Sequence, residues 1–225
     1  MQNFAGNARV GVHARAVERR DIGMRWIDRV GLIGFETRYP HELSGGMQQR
    51  VGLARALSND ASILLMDEAY SALDPLIRTD MQTMLLDLQA ELKKTIVFIT
   101  HDLDEALRLG DRIVILRDGS IIQQGDSQDI LLNPADDYIK RFVKDVNRGR
   151  FIKVDAVMDR APDAEISSLP KIKTGTMLEN AAKIFANSSH DSAGVLSDSG
   201  QPIGLISLRQ MTAALSSAIE TKSAR

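Results

Sequence analysis

Ile63-Leu64-Leu65-Met66-Asp67-Glu68-Ala69-Tyr70-Ser71-Ala72-Leu73-Asp74 is the stretch on which the fold turns. Ile63–Met66 is a short, continuous apolar run, and such a run bounded by polar residues reads as a buried strand. Downstream, Thr95–Thr100 (TIVFIT) is a second strand rich in β-branched residues. The helix-like stretch Leu76–Leu92 separates them. Strand, helix, strand is the pattern of a βαβ unit in a parallel sheet, which places the chain in the α/β class. Ligands of such sheets bind just beyond the C-terminal strand ends. Asp67 and Glu68 follow the first strand and His101 follows the second, so all three fall at one edge.

Two adjacent carboxylates at that edge repel each other unless a cation or a water uses them. One can hold Mg²⁺ and the other can orient an attacking water. A histidine there can contact a γ-phosphate or its transition-state charge. Upstream, Leu43-Ser44-Gly45-Gly46-Met47-Gln48-Gln49-Arg50 leads into a helical run, VGLARAL. Helix N-termini present unpaired amides and a positive dipole end, and glycines admit an anion close to the backbone. Taken singly, each of these features also reads as ordinary structure: a capped helix, a solvated acidic pair, a surface histidine.

Order and spacing supply what the single features lack. LSGGMQQRVGLARAL, then ILLMDEAYSALD, then TIVFITHDLDEAL resembles the signature, Walker B, D-loop and switch-histidine series of the ABC ATPases, over roughly residues 10–145. The wording of these phrases is closest to the ATP-binding subunits of glycine betaine, choline and proline importers, although Met47 departs from the more general LSGGQ pattern. The resemblance implies a P-loop NTPase fold with ATP and Mg²⁺ as cofactors. It makes Asp67 the magnesium ligand, Glu68 the general base and His101 the γ-phosphate switch. It places Ser44, Gly45, Gly46 and Gln48, with Asp74 of the D-loop, in contact with nucleotide. The implied partners are a membrane-spanning permease, a second ATPase subunit in a head-to-tail dimer, and a substrate-binding protein acting through the complex. The implied location is the cytoplasmic face of the cell membrane.

Nucleotide binding in this family also uses a GxxxxGK(S/T) loop, whose amides and lysine hold the phosphates. No Gly-Lys dipeptide occurs in these 225 residues. The expectation is therefore a partial ABC ATPase domain, lacking its first strands and phosphate loop, over residues 1–146. Weak or no ATPase activity is expected of this polypeptide alone. An alternative is a regulatory or inert fragment, or one whose signature completes an ATP site in trans.

Beyond the sheet, residues 111–124 read as a hairpin around Asp118-Gly119, a favoured two-residue turn. A helical stretch follows, with a break at Asn133-Pro134. Residues 147–151 read as a linker. Residues 152–225 form a small α+β module, with a helix over Met177–Phe185, strands at Ala193–Leu196 and Ile203–Ser207, and a helix over Leu208–Ile219 capped by Ser207. This module resembles a single CBS motif. Gln210 stands where nucleotide-binding members carry an aspartate, which argues against adenine-nucleotide binding there. Lys171, Lys173 and Arg209 are candidates for charge sensing.

Composition bounds the rest. Charged residues are 26% and the net charge is −2, so a nucleic-acid partner held by bulk electrostatics is disfavoured. A DNA-repair or SMC-type ATPase is disfavoured as well, because coiled-coil heptads are missing. With no cysteine, disulfides and thiolate metal sites are excluded. No apolar run approaches the roughly 20 residues that span a bilayer.

Overall fold

The computed structural model describes residues 16–59, 61–163 and 165–216. Residues 1–15 and the last expected helical residues, 217–219, lie outside these. The chain divides into two units, Met1–Glu105 and Ala106–Arg225.

In the first unit, α1 (Ala16–Arg29) ends in a Schellman arrangement. Gly31 adopts φ +68°, the Leu32 amide donates to the Ile27 carbonyl, and the Gly31 amide donates to that of Asp28. α2 (Gly45–Leu57) packs against α1. Ile27, Val30, Leu32 and Ala54 form the buried centre, flanked by Trp26, Met47, Val51 and Met84. Met24, three residues before Ile27 on the same helix, is left exposed.

β1 (Ile63–Asp67), α3 (Pro75–Leu92) and β2 (Thr95–Ile99) form the expected βαβ unit. β1 and β2 pair in parallel, in a register that sets Ile63 opposite Thr95 and Asp67 opposite Ile99. α3 buries Met81, Gln82, Leu85 and Leu88, a stripe at helical spacing. Because strand side chains alternate, Leu64 is buried while Ile63, Leu65, Val97 and Ile99 share the other face and stand exposed, Leu65 by 74%. Parallel sheets are normally covered on both faces, so this apolar face is unusual.

α4 (Leu103–Leu109) contains the boundary between the units. The second unit opens with the predicted hairpin, β3 (Ile113–Arg117) and β4 (Ser120–Gly125), with Asp118 at φ +50° and Gly119 at φ +77°. Positive φ at both central residues is what a type I′ turn demands. α5 (Ser127–Leu132) and α6 (Asp137–Phe142) follow, separated at Asn133-Pro134. Ile130, Leu131, Ile139 and Val143 are fully buried there.

The segment read as a linker is folded instead. Arg148–Arg150 is a 3-10 turn, with Arg148 and Gly149 buried. Phe151 and Ile152 behind it are buried too, and they pull the charged turn inward. The remaining elements are β5 (Asp159–Arg160), β6 (Lys171–Lys173), α7 (Leu178–Ala186), β7 (Ser192–Leu196), β8 (Pro202–Ser207) and α8 (Leu208–Leu215). Their sheet runs β5-β8-β7-β6, with β6 parallel to β7 and the other pairs antiparallel. Its core is Ile172, Leu178, Ala181, Phe185, Ala193, Val195, Ile206 and Met211. Ser207 caps α8 as expected. The partner in its capping box is Gln210, whose Oε1 lies 2.8 Å from both the Ser207 amide and hydroxyl.

Candidate nucleotide site

The parallel register brings the two strand ends level, and Glu68 and His101 meet across them. His101 Nδ1 is 2.8 Å from each carboxylate oxygen of Glu68. The bond to Glu68, and then the carboxylate's charge, raise the histidine pKa above its ordinary value. Glu68 holds φ +48°, a conformation that L-residues with long side chains rarely adopt. Three backbone contacts fix it there: its amide donates to Ile99, and its carbonyl accepts from the Ser71 amide and hydroxyl. Tyr70, buried beside Phe98, forms the floor of this turn. Burial, and then the charge of Glu105, push its hydroxyl well above the ordinary tyrosine range, so it stays protonated.

Asp67 ends β1 exposed, and its carboxylate makes no hydrogen bond or ion pair to another described residue. Among the described residues no group of three or more histidine, aspartate or glutamate side chains gathers as a metal cage. Magnesium takes one or two carboxylates together with waters and substrate phosphates. Asp67 fits as one donor to such an ion and not as a self-sufficient site.

The start of α2 forms the second part. Ser44 is the N-cap and its Oγ accepts from the Met47 amide at 3.3 Å. The amides of Gly45 and Gly46 have no acceptor among the described residues, and the space beside Gly45 is open. These free donors at a helix N-terminus suit a phosphate. Gly46 has a different reason to be glycine: a Cβ there would lie 2.5 Å from Ile77 Cγ2. α2 therefore starts hard against the first turn of α3. That turn is capped by Asp74, whose Oδ1 accepts from the Leu76 and Ile77 amides at 3.1 Å each. The serine-glycine start and Asp74 are thus neighbours in the fold.

Gln48 is turned another way. Its amide donates to the carbonyls of Pro40, at 3.0 Å, and Leu43, at 3.1 Å, and so holds the approach to Ser44. The sequence reading passed over Arg78, Asp102 and Glu105. The first is four residues past Asp74 on the same helix, and the other two lie within four residues of His101. That spacing is the only signal the sequence offers for them.

The ABC transporter family profile matches residues 3–71, which run from before α1 through the Asp67-Glu68 turn. Glycine betaine transport ATP-binding protein OpuAA of Bacillus subtilis is 52% identical over 177 residues, 77% of this chain and 42% of that protein. The chain belongs to the ABC transporter family of ATP-binding proteins. Within this family, the glycine betaine/proline betaine transport system ATP-binding protein ProV of Salmonella typhimurium is 44% identical over 203 residues, 90% of this chain and 50% of ProV. The chain therefore spans half or less of the length of these curated relatives. Among solved structures, cbiO1 of Clostridium perfringens, part of an ABC transporter complex, superposes with a TM-score of 0.53 at 26% identity, over 64% of this chain and 55% of that one. Among the described residues no helix is long and apolar enough to cross a membrane.

Proposed function

We propose that this chain is the signature-to-tail portion of an ATPase subunit that energises import of glycine betaine, proline or a related quaternary amine. The observation that carries this is the meeting of Glu68 and His101 at adjacent parallel strand ends, one residue beyond the free carboxylate of Asp67. In this reading Asp67 holds magnesium, which supplies charge neutralisation to the phosphates when it is bound. Glu68 takes a proton from water, and His101 meets the γ-phosphate. A carboxylate bonded to an imidazole is not free to take a proton, so Glu68 releases His101 before it acts. Ser44, Gly45, Gly46 and Asp74 face nucleotide held by a second ATPase subunit in a head-to-tail dimer. A permease at the cytoplasmic face of the membrane completes the assembly, with a substrate-binding protein acting through it.

The phosphate loop has to come from outside these 225 residues. Each charge-assisted bond it would make is worth about 1.5–3 kcal/mol, so the chain alone binds ATP weakly or not at all. A second reading follows from the same fact. The free Gly45 and Gly46 amides let this chain complete a site on an intact subunit, or serve as a regulatory piece acting through its CBS-like module.

Calorimetric titration of the purified chain with ATP and Mg²⁺ is the first test, and no binding is expected. The decisive test joins the chain to a cassette half that carries a phosphate loop. Magnesium-dependent turnover is expected, falling about 100-fold or more in E68Q with little change in ATP affinity. Turnover that survives E68Q within about three-fold rejects Glu68 as the base. Tight ATP binding by the chain alone moves the nucleotide to another site.

A further inference from the structure

We propose that Arg78 is a positioning residue that ties the loop carrying Asp74 to the loop carrying His101, so that the two are set together. Its consequence for ATP chemistry rests on the reading above. The guanidinium reaches three groups. Nη2 donates to the Leu73 carbonyl at 3.3 Å, immediately before Asp74. Nη1 donates to Asp102 Oδ2 at 3.1 Å, immediately after His101. Nε lies 3.7 Å from Oε1 of Glu105.

Glu105 is buried, and it holds the other flank of the histidine. It accepts from Gln82 Nε2 at 3.2 Å and from the Thr100 hydroxyl at 2.8 Å. Thr100 Oγ1 in turn accepts from the Asp102 amide at 3.0 Å, and Asp102 Oδ1 accepts from the Glu105 amide at 3.3 Å. The residues on both sides of His101, and the residue before Asp74, are therefore fixed through one planar fork. A planar group with donors in three directions can do this, and a lysine ammonium on a flexible stem cannot match that geometry. An arginine that merely neutralised Glu105 would have no reason to bond the Leu73 carbonyl. In the proposed function Asp74 faces one subunit's nucleotide and His101 the other's, so Arg78 makes the placement of each depend on the other.

The test uses the ¹⁵N-labelled 225-residue chain without nucleotide. The ring nitrogen signals of His101, assigned with H101Q, are compared between wild type and R78Q, together with hydrogen exchange of the Leu73 amide. L85A, a buried site on the same helix, serves as a control for stability loss. In R78Q the His101 ring signals are expected to shift and the Leu73 amide to exchange about ten-fold faster or more. L85A is expected to lower the melting temperature without the ring shift. If R78Q does not fold, R78K decides by the same two readouts. The proposal is overturned if either site keeps its wild-type behaviour in the folded variant, or if L85A moves the His101 ring as much. ATP does not enter this measurement, so its failure leaves the nucleotide reading standing, and the converse holds.

Discussion

His101 Nδ1 sits midway between the two carboxylate oxygens of Glu68, 2.8 Å from each, on an exposed strand edge. The bond and the charge both favour the protonated ring, so the folded-state pKa lies above the unfolded value of 6.5. Whatever stability the pair contributes is fully present below that value and is lost as pH rises through the raised folded pKa. Solvent screens a pair this exposed, so the readout is the titration itself. E68Q is expected to lower the His101 pKa towards 6.5, as followed by NMR of the imidazole. A titration curve unmoved by E68Q would mean that another group charges the ring.

Glu68 also holds the left-handed backbone, at a cost of about 1–2 kcal/mol for a non-glycine residue. Glu68→Gly should release part of that strain and leave stability level or up to about 1 kcal/mol higher, even though an ion pair is lost. Urea unfolding would show it. A loss above about 1 kcal/mol would mean that the pair with His101 outweighs the strain.

Gly46 sits inside a helix, where alanine would ordinarily stabilise by up to about 1 kcal/mol. The approach of 2.5 Å to Ile77 Cγ2 reverses the sign. Ile77 is β-branched and stiff, so G46A should destabilise by about 1–3 kcal/mol. I77A should restore part of the loss in the double variant. Additive losses in that cycle would place the effect elsewhere.

Asp74 caps α3 through two amides. D74A should cost about 1 kcal/mol and D74N much less, because asparagine caps nearly as well. Equal losses in thermal melts of the two variants would show that charge, and not the cap, carries the effect.

Asp155 behaves as the mirror image of His101. Burial works against its charge, but hydrogen bonds from the Thr174 hydroxyl and the Gly175 amide outweigh that and hold its pKa below 3.8. A depressed carboxylate stabilises above its unfolded pKa, and that support is lost as pH falls through the folded pKa. The surrounding module should therefore lose stability in acid below about pH 4. In D155N that pH dependence should flatten, as read by amide NMR of the module against pH.

What the sequence made legible was whatever repeats or punctuates. β1, β2 and the hairpin announce themselves by apolar runs and by Asp118-Gly119, and α8 by its Ser207 cap. β5 and β6 do not, since they are two and three residues long and only Ile172 among them is buried. The turn at Arg148 was misread because charge signals a surface, whereas the apolar pair behind it drags the arginine inside. Within the site, sequence order placed Glu68 and His101 at one edge, and the contact between them follows from the register. Where a side chain points has no such signature. Gln48 turns back to its own loop, and Arg78 connects groups 5 and 24 residues away.

The bare face of β1 and β2 ties the fate of this chain to how much of it is present. Ile63, Leu65, Val97 and Ile99 offer a dry surface to whatever strand-bearing polypeptide meets them first. Any binder of the folded form adds to apparent stability, by an amount that grows with the logarithm of its concentration once that exceeds the Kd. In dilute solution that face meets only water. In a crowded one, further copies of the chain can meet the same four side chains. What covers that face, more than any single contact inside the chain, then sets how the first unit behaves as concentration rises.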